Sequence, residues 1–120
     1  MLNGGEPFLI VGAMTRMIWM NKTALFIRHQ AKPGKRDDIR RVWEKYVKPR
    51  ASANPAHEAY YFCYDSKDAD VICVFQLYSS EGDMQNFLQG AWYADYLKEV
   101  GEFVAIPPQI TPAGLVWAKD

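Results

Sequence analysis

The chain has 120 residues, and its 14 basic and 14 acidic side chains cancel to a net charge of zero. A chain of this length makes one domain, able to bury roughly two-thirds of its unfolded surface around a single core. The charge balance leaves no electrostatic footprint for nucleic acid or for an anionic membrane, and it favours small neutral partners.

Residues 7–20 (PFLIVGAMTRMIWM) are apolar, but Gly12 and Arg16 interrupt the run and it is too short to span a bilayer. It also makes a poor secretory signal, with no basic leading region and Glu6 where positive charge is expected. Met14, Met17 and Met20 offer alternative starts, and a chain beginning at Met20 would open directly into the first strand. Residues 1–21 are therefore expected to form an arm, an extra strand or a cover across a subunit interface, with the folded domain over 22–120.

Residues 24–31 read as a strand, because they are rich in side chains that suit a pleated sheet. Lys32 precedes Pro33 and is biased to extended geometry, while Gly34 permits a sharp turn. A helix follows. Ile39, Val42, Trp43, Tyr46 and Val47 recur on a 3.6-residue period and draw one apolar stripe. Asp37 and Asp38 suit its N-terminal end, Lys48 and Arg50 its C-terminal end, and Pro49 is expected to stop it.

After a polar, small-residue connection over 51–57, strands are expected over 58–64 (EAYYFCY) and 71–78 (VICVFQLY), joined as a hairpin by the charged turn 65–70. Neither strand alternates cleanly between apolar and polar. A sheet covered on both faces produces that pattern, with helices on one side and a second subunit on the other. Cys63 and Cys73 lie in these two strands. One register sets them opposite each other, and a slip of one residue sets them on opposite faces. Nothing in the composition calls for export, so reduced thiols in a cytoplasmic protein are expected.

Ser80-Glu81-Gly82-Asp83 supplies capping chemistry for a short helix carrying Met84, Phe87 and Leu88, and Gly90 breaks it. A second helical run carries Trp92, Tyr93, Tyr96, Leu97, Val100 and Phe103 largely on one face. Pro107, Pro108 and Pro112 are expected to forbid regular structure, with a short final strand over 115–118. The order is β-α-β-β-α-β, the α+β ferredoxin-like plan with an antiparallel sheet.

No His or Cys pair has metal-ligand spacing, and there is no G-x-G-x-x-G, P-loop or G-x-S-x-G. Four Trp, seven Tyr and six Phe are more than a minimal core requires, so some are expected beside a pocket. The candidates are Tyr61, Tyr78, Trp92 and Tyr96, whose hydroxyls and rings suit a phenolic ligand, although aromatics at this spacing are more often core. His29 is the candidate general base, having an unperturbed pKa nearest neutrality. Arg28 is a candidate for stabilising an oxyanion. Strand alternation sends Arg28 and His29 to opposite faces, so at most one shares a pocket with a given set of side chains. His57, in a loop, is expected to be solvated.

Over residues 22–118 the chain resembles the antibiotic biosynthesis monooxygenase family of small dimeric α/β-barrel proteins. The resemblance rests on FIRHQAKPGKRDDIRRVWEKYV, where the family has a strand, a Pro-Gly-Lys/Arg turn and an amphipathic helix. It rests also on FQLYSSEGDMQNFL and on QGAWYADYL, where Trp92-Tyr93 replaces a His-Phe or similar pair. The resemblance implies a homodimer whose open sheet faces pack together. It further implies oxygenation of quinol- or anthrone-like aromatics by O₂ without metal or flavin, because the substrate itself supplies the electrons. A non-catalytic binder of small aromatic or lipophilic ligands on the same barrel is the alternative. A haem-degrading branch of the fold uses a helix histidine and a strand asparagine, and these positions fall near Leu97 and Ile27 here.

Overall fold

The computed structural model describes residues 21–119. The arm expected over 1–21 lies almost wholly outside them. Eight elements follow in order: β1 (Thr23–Gln30), α1 (Arg36–Tyr46), α2 (Lys48–Ala53), β2 (His57–Tyr64), β3 (Val71–Tyr78), α3 (Glu81–Leu88), α4 (Ala91–Val100) and β4 (Gln109–Gly114). The four strands form one antiparallel sheet in the order β2-β3-β1-β4. This is the ferredoxin-like arrangement expected from the sequence.

The turn into α1 depends on Gly34, whose φ of 75° lies in the left-handed region that other residues enter at a cost. Its backbone N–H donates to Asp70 Oδ1 at 3.0 Å, which ties this turn to the β2–β3 hairpin. Arg36, at the start of α1, strengthens the tie. Its guanidinium donates to the carbonyls of Asp65, Asp68 and Val71 and lies 3.8 Å from the centre of the Tyr64 ring.

The apolar stripe of α1 packs as its spacing requires. Ile39, Val42 and Val47 are buried with Ala31, Ile72, Val74, Tyr96 and Val100 in the main core cluster. Trp43 stacks on Phe62 at 4.2 Å between ring centres and donates from Nε1 to the Tyr60 hydroxyl at 2.9 Å. Pro49 has a different role from the one expected. The helix ends at Tyr46, and Pro49 falls in the first turn of α2, where its missing N–H would have no helical partner anyway.

Ser80 caps α3 as its sequence suggests, its side-chain oxygen accepting from the Asp83 N–H at 3.1 Å. The final strand lies earlier than expected. It spans Gln109–Gly114 and includes Pro112, while residues 115–119 have no regular structure. Pro112 is tolerated because β4 is an edge strand paired only with β1, so a missing donor on its outer side breaks no ladder bond.

The sheet thus has two unlike faces. Leu25, Ile27 and His29 of β1, Tyr60 and Phe62 of β2, and Ile72, Val74, Gln76 and Tyr78 of β3 point to the helices. Phe26 and Arg28, Tyr61 and Cys63, and Cys73 and Phe75 occupy the other face, where all but Phe75 are exposed. Cys63 and Cys73 are free thiols paired directly across β2 and β3, which settles the register left open above.

Candidate active site between sheet and helices

A small apolar cavity lies between the helix-facing side of the sheet and α4. Ile27, Val74 and Ile110 contribute its sheet side, and Tyr93, Tyr96 and Leu97 come from α4. Its volume is about 20 Å³, space for about one water. Two polar sheet residues reach it: His29 and Gln76.

His29 is only 5% exposed, and its Nδ1 is buried without a hydrogen-bond partner among the described residues. Burial penalises the imidazolium and pushes the pKa down to about 4. The ring is therefore neutral near pH 7, with a basic nitrogen in reserve. A buried unpaired polar atom costs free energy, and it marks a position where a ligand would restore a missing bond.

Gln76 is 2% exposed on β3. Its Oε1 accepts from the Tyr78 hydroxyl at 2.5 Å and lies 2.9 Å from His57 Nε2. His57 Nδ1 in turn lies 2.9 Å from Asn54 Nδ2. His57 is thus half-buried at the start of β2, packed on Tyr78 and Phe87 at 4.2 and 4.4 Å between ring centres, rather than solvated in a loop. The cause is local. A register shift between His57 and Ala59 inserts an extra residue, which turns His57 onto the face that simple alternation from Tyr60 would deny it. Burial lowers the His57 pKa, with the Gln76 hydrogen bond opposing in part.

Of the candidates named from sequence, His29 and Tyr96 line the cavity. Tyr78 is fully buried behind it and touches it through Gln76. Trp92 lies beside it, edge-on to Phe87 at 5.0 Å and beneath the Arg50 guanidinium, in an open groove. Arg28 and Tyr61 are on the opposite face of the sheet, outside the cavity, because strand alternation that brings His29 and Tyr60 inward must send them outward. Sequence reasoning missed Tyr60, Tyr93 and Gln76. For Gln76 a signal existed: a lone amide within VICVFQLY, two residues from Val74 and from Tyr78, is a polar group on a buried face.

Burial raises the phenol pKa values of Tyr60, Tyr78, Tyr93 and Tyr96, so each stays protonated and serves as a donor or a wall, not as a base. Ile27 and Leu97, where the resemblance sets the asparagine and histidine of the haem-degrading branch, both line the cavity as aliphatic side chains and offer iron no ligand. Among the described residues no three His, Cys, Asp or Glu side chains cluster as a metal site.

A ferredoxin-like sheet with one helix-covered face and an apolar, histidine-bearing cavity beneath those helices places the chain among small α+β proteins. The match to known proteins is more specific. The antibiotic biosynthesis monooxygenase family model matches residues 24–99, and the chain belongs to that family. Among solved structures it is similar to a protein of unknown function from Nitrosomonas europaea, at 27% identity and a TM-score of 0.71, over 84% of this chain and 95% of that one. It is similar also to a candidate antibiotic biosynthesis monooxygenase from Caulobacter crescentus CB15, at 14% identity and a TM-score of 0.75, over 88% and 99%. A protein from Mycobacterium tuberculosis aligns at 21% identity and a TM-score of 0.72, over 82% and 99%. No curated protein matches the chain. Among the described residues no helix is long and apolar enough to cross a membrane.

Proposed function

We propose that the protein is a cofactor-independent monooxygenase that oxidises quinol- or anthrone-like aromatics with O₂, working as a cytoplasmic homodimer. The observation that carries this reading is the buried, unpartnered Nδ1 of His29 on an apolar cavity of a monooxygenase-family fold. His29 takes a proton from the substrate. A lone imidazolium is disfavoured here, but the aromatic anion formed beside it offsets that charge. The anion gives an electron to O₂, and the resulting radicals join as a peroxide at carbon. The imidazolium returns its proton to the peroxide. Loss of the C–H proton at that carbon to the imidazole, with cleavage of the O–O bond, leaves a new carbonyl and a hydroxide that takes the proton and leaves as water, so all four electrons come from the substrate. The chain's own work is orientation and electrostatics.

Ligand entry requires the mouth to part, since about 20 Å³ holds no aromatic ring. Leu97 and Ile110, both lining residues, are 40% and 47% exposed and form the side open to solvent. Tyr96 is proposed as a wall of the site, with Trp92 flanking it and Tyr78 acting through Gln76. Arg28 and Tyr61 are assigned instead to the open face, where a second copy of the chain would pack. The alternative, a non-catalytic binder of small aromatic or lipophilic molecules, is favoured by the same small volume and by the tyrosines that fill it. Oxygen uptake with a panel of hydroquinones and anthrones separates the two. The enzyme reading expects uptake that falls at least tenfold in His29→Ala, and binding without oxygen consumption supports the binder.

A further inference from the structure

We propose that Gln76 is the residue that recognises a ligand oxygen in this cavity, through an amide N–H held in one orientation by His57 and Asn54. The inference rests on reading the cavity as a ligand site, and goes beyond it by naming the group that confers specificity. The orientation can be traced from a donor whose identity is unambiguous. The backbone N–H of Ala56 donates to Asn54 Oδ1 at 3.2 Å, so the Asn54 amide nitrogen is the atom that meets His57 Nδ1 at 2.9 Å. That nitrogen donates, so Nδ1 accepts and the neutral ring carries its proton on Nε2. Nε2–H then donates to Gln76 Oε1 at 2.9 Å, and the Tyr78 hydroxyl donates to the same oxygen at 2.5 Å.

Both lone pairs of that carbonyl are now in use. Turning the amide over would set an N–H group against the His57 Nε2–H donor, since the Tyr78 hydroxyl could rotate to accept but the imidazole N–H could not. The amide nitrogen itself makes no hydrogen bond among the described residues, although Gln76 is buried and lines the cavity. Two N–H donors are thus fixed at one end of an apolar space. His29 stands at the other. Gln76 pairs with Leu25, four residues from His29 on β1, which sets the two Cα atoms about 14 Å apart along the sheet. Ile27 and Val74, paired between them, supply an apolar floor.

The matching ligand is a flat apolar molecule with an acceptor oxygen, a carbonyl or a phenolate, at the Gln76 end. Because the donor is already oriented, binding requires no rearrangement of it. His57 and Asn54 are positioning residues. Protonation of His57 would place an N–H against the Asn54 amide and break the chain at its second link.

The test uses 1,4-naphthoquinone and naphthalene, two probes of similar shape that differ in acceptor oxygens. In ¹⁵N-labelled wild-type protein, the quinone shifts the Gln76 side-chain NH₂ resonances and naphthalene does not. Gln76→Glu keeps an oxygen for Tyr78 and His57 but replaces the cavity donor by an acceptor, and it weakens quinone binding at least tenfold while changing naphthalene binding less than twofold. Unmoved Gln76 resonances under saturating quinone, or equal quinone affinity in a folded Gln76→Glu variant, overturn the proposal, as does failure of the quinone to bind. Oxygen uptake that is unchanged in Gln76→Glu overturns it while leaving the monooxygenase reading intact. Quinone-induced shifts at Gln76 in a protein that consumes no oxygen uphold it while the monooxygenase reading fails.

Discussion

The two faces of one sheet carry opposite chemistry. On the helix side, Ile39 and Ile72 are fully buried and the polar groups are few, enclosed and oriented, as with Gln76 between Tyr78 and His57. On the other side, the aromatic row Phe26, Phe75 and Tyr61 crosses three strands, with Phe26 and Phe75 at 5.1 Å and Phe75 and Tyr61 nearly parallel at 6.0 Å. Phe26 is 46% exposed and Tyr61 59%. An isolated exposed aromatic is ordinary, but a contiguous row flanked by Leu77 and two thiols is a surface suited to a partner. The helix side makes the fold and holds the proposed site, and the open side is where the proposed second copy would pack.

The largest stability effects come from the helix side. Ile39→Ala should lower the unfolding free energy by about 2–5 kcal/mol, since the removed atoms sit in a fully buried cluster. Urea titration checks this, and a loss well under 1 kcal/mol would mean that α1 is not docked as described.

Acidification should act on the same face. The His29 pKa of about 4 in the folded chain lies below the ordinary value of 6.5, so the unfolded chain binds more protons between those values. Stability therefore rises with pH through this window and is lost as pH falls from 6.5 towards 4. The gap corresponds to about 3 kcal/mol for His29. His57, also lowered, adds in the same direction. Urea midpoints at pH 7 and pH 4.5 measure the loss, and His29→Leu should flatten the slope to the part due to His57. An unaltered slope in that variant would place the titration elsewhere.

Phe26→Asp should act differently. It sets a charge into the aromatic row without touching the core, so the expected result is a halved mass in sedimentation equilibrium with retained far-UV circular dichroism. Cys63 and Cys73 report on the same surface. Both are exposed in the single chain and would be covered in the proposed homodimer, so they should alkylate slowly in the wild-type protein and quickly in the variant. Rapid alkylation of both thiols in the wild type would leave the open face unpaired.

The contrast also explains what the sequence could and could not convey. Period gave the elements: the stripe from Ile39 to Val47 and the capping Ser80 read directly as helices. Period could not give the face. In HEAYYFCY either Tyr60 or Tyr61 could point inward, and the choice is set by the long-range pairing of Tyr60 with Gln76 and of Tyr61 with Phe75, which has no local signature. The sequence favours Tyr61, whereas Tyr60 lines the cavity. Pro112 misled for a related reason, because a proline forbids a central strand and not an edge strand, and edge position is a property of the whole sheet. Of the residues lining the candidate cavity, His29 and Tyr96 are legible in the sequence, the first because a lone histidine in an apolar strand is a polar group whichever face the strand turns it to.

The smallest effect is the sharpest test of the division, because Arg28 and His29 are adjacent in sequence. Arg28 is exposed on the open face, opposite Cys73 and Gln109, while His29 is buried against the helices. Arg28→Ala removes a charge without leaving a buried group unpaired, so the stability of the folded chain should change by no more than about 0.5 kcal/mol. Quinone affinity should stay within twofold of wild type, and oxygen uptake should follow it. His29→Ala removes the basic nitrogen from the cavity and should abolish uptake while the oligomeric state persists. Two neighbouring substitutions then give opposite readouts because one Cα step in a strand exchanges faces. If Arg28→Ala lowered uptake as far as His29→Ala with the dimer intact, the charge would have to act on the reaction from the open face, and the sheet would no longer separate partner from substrate.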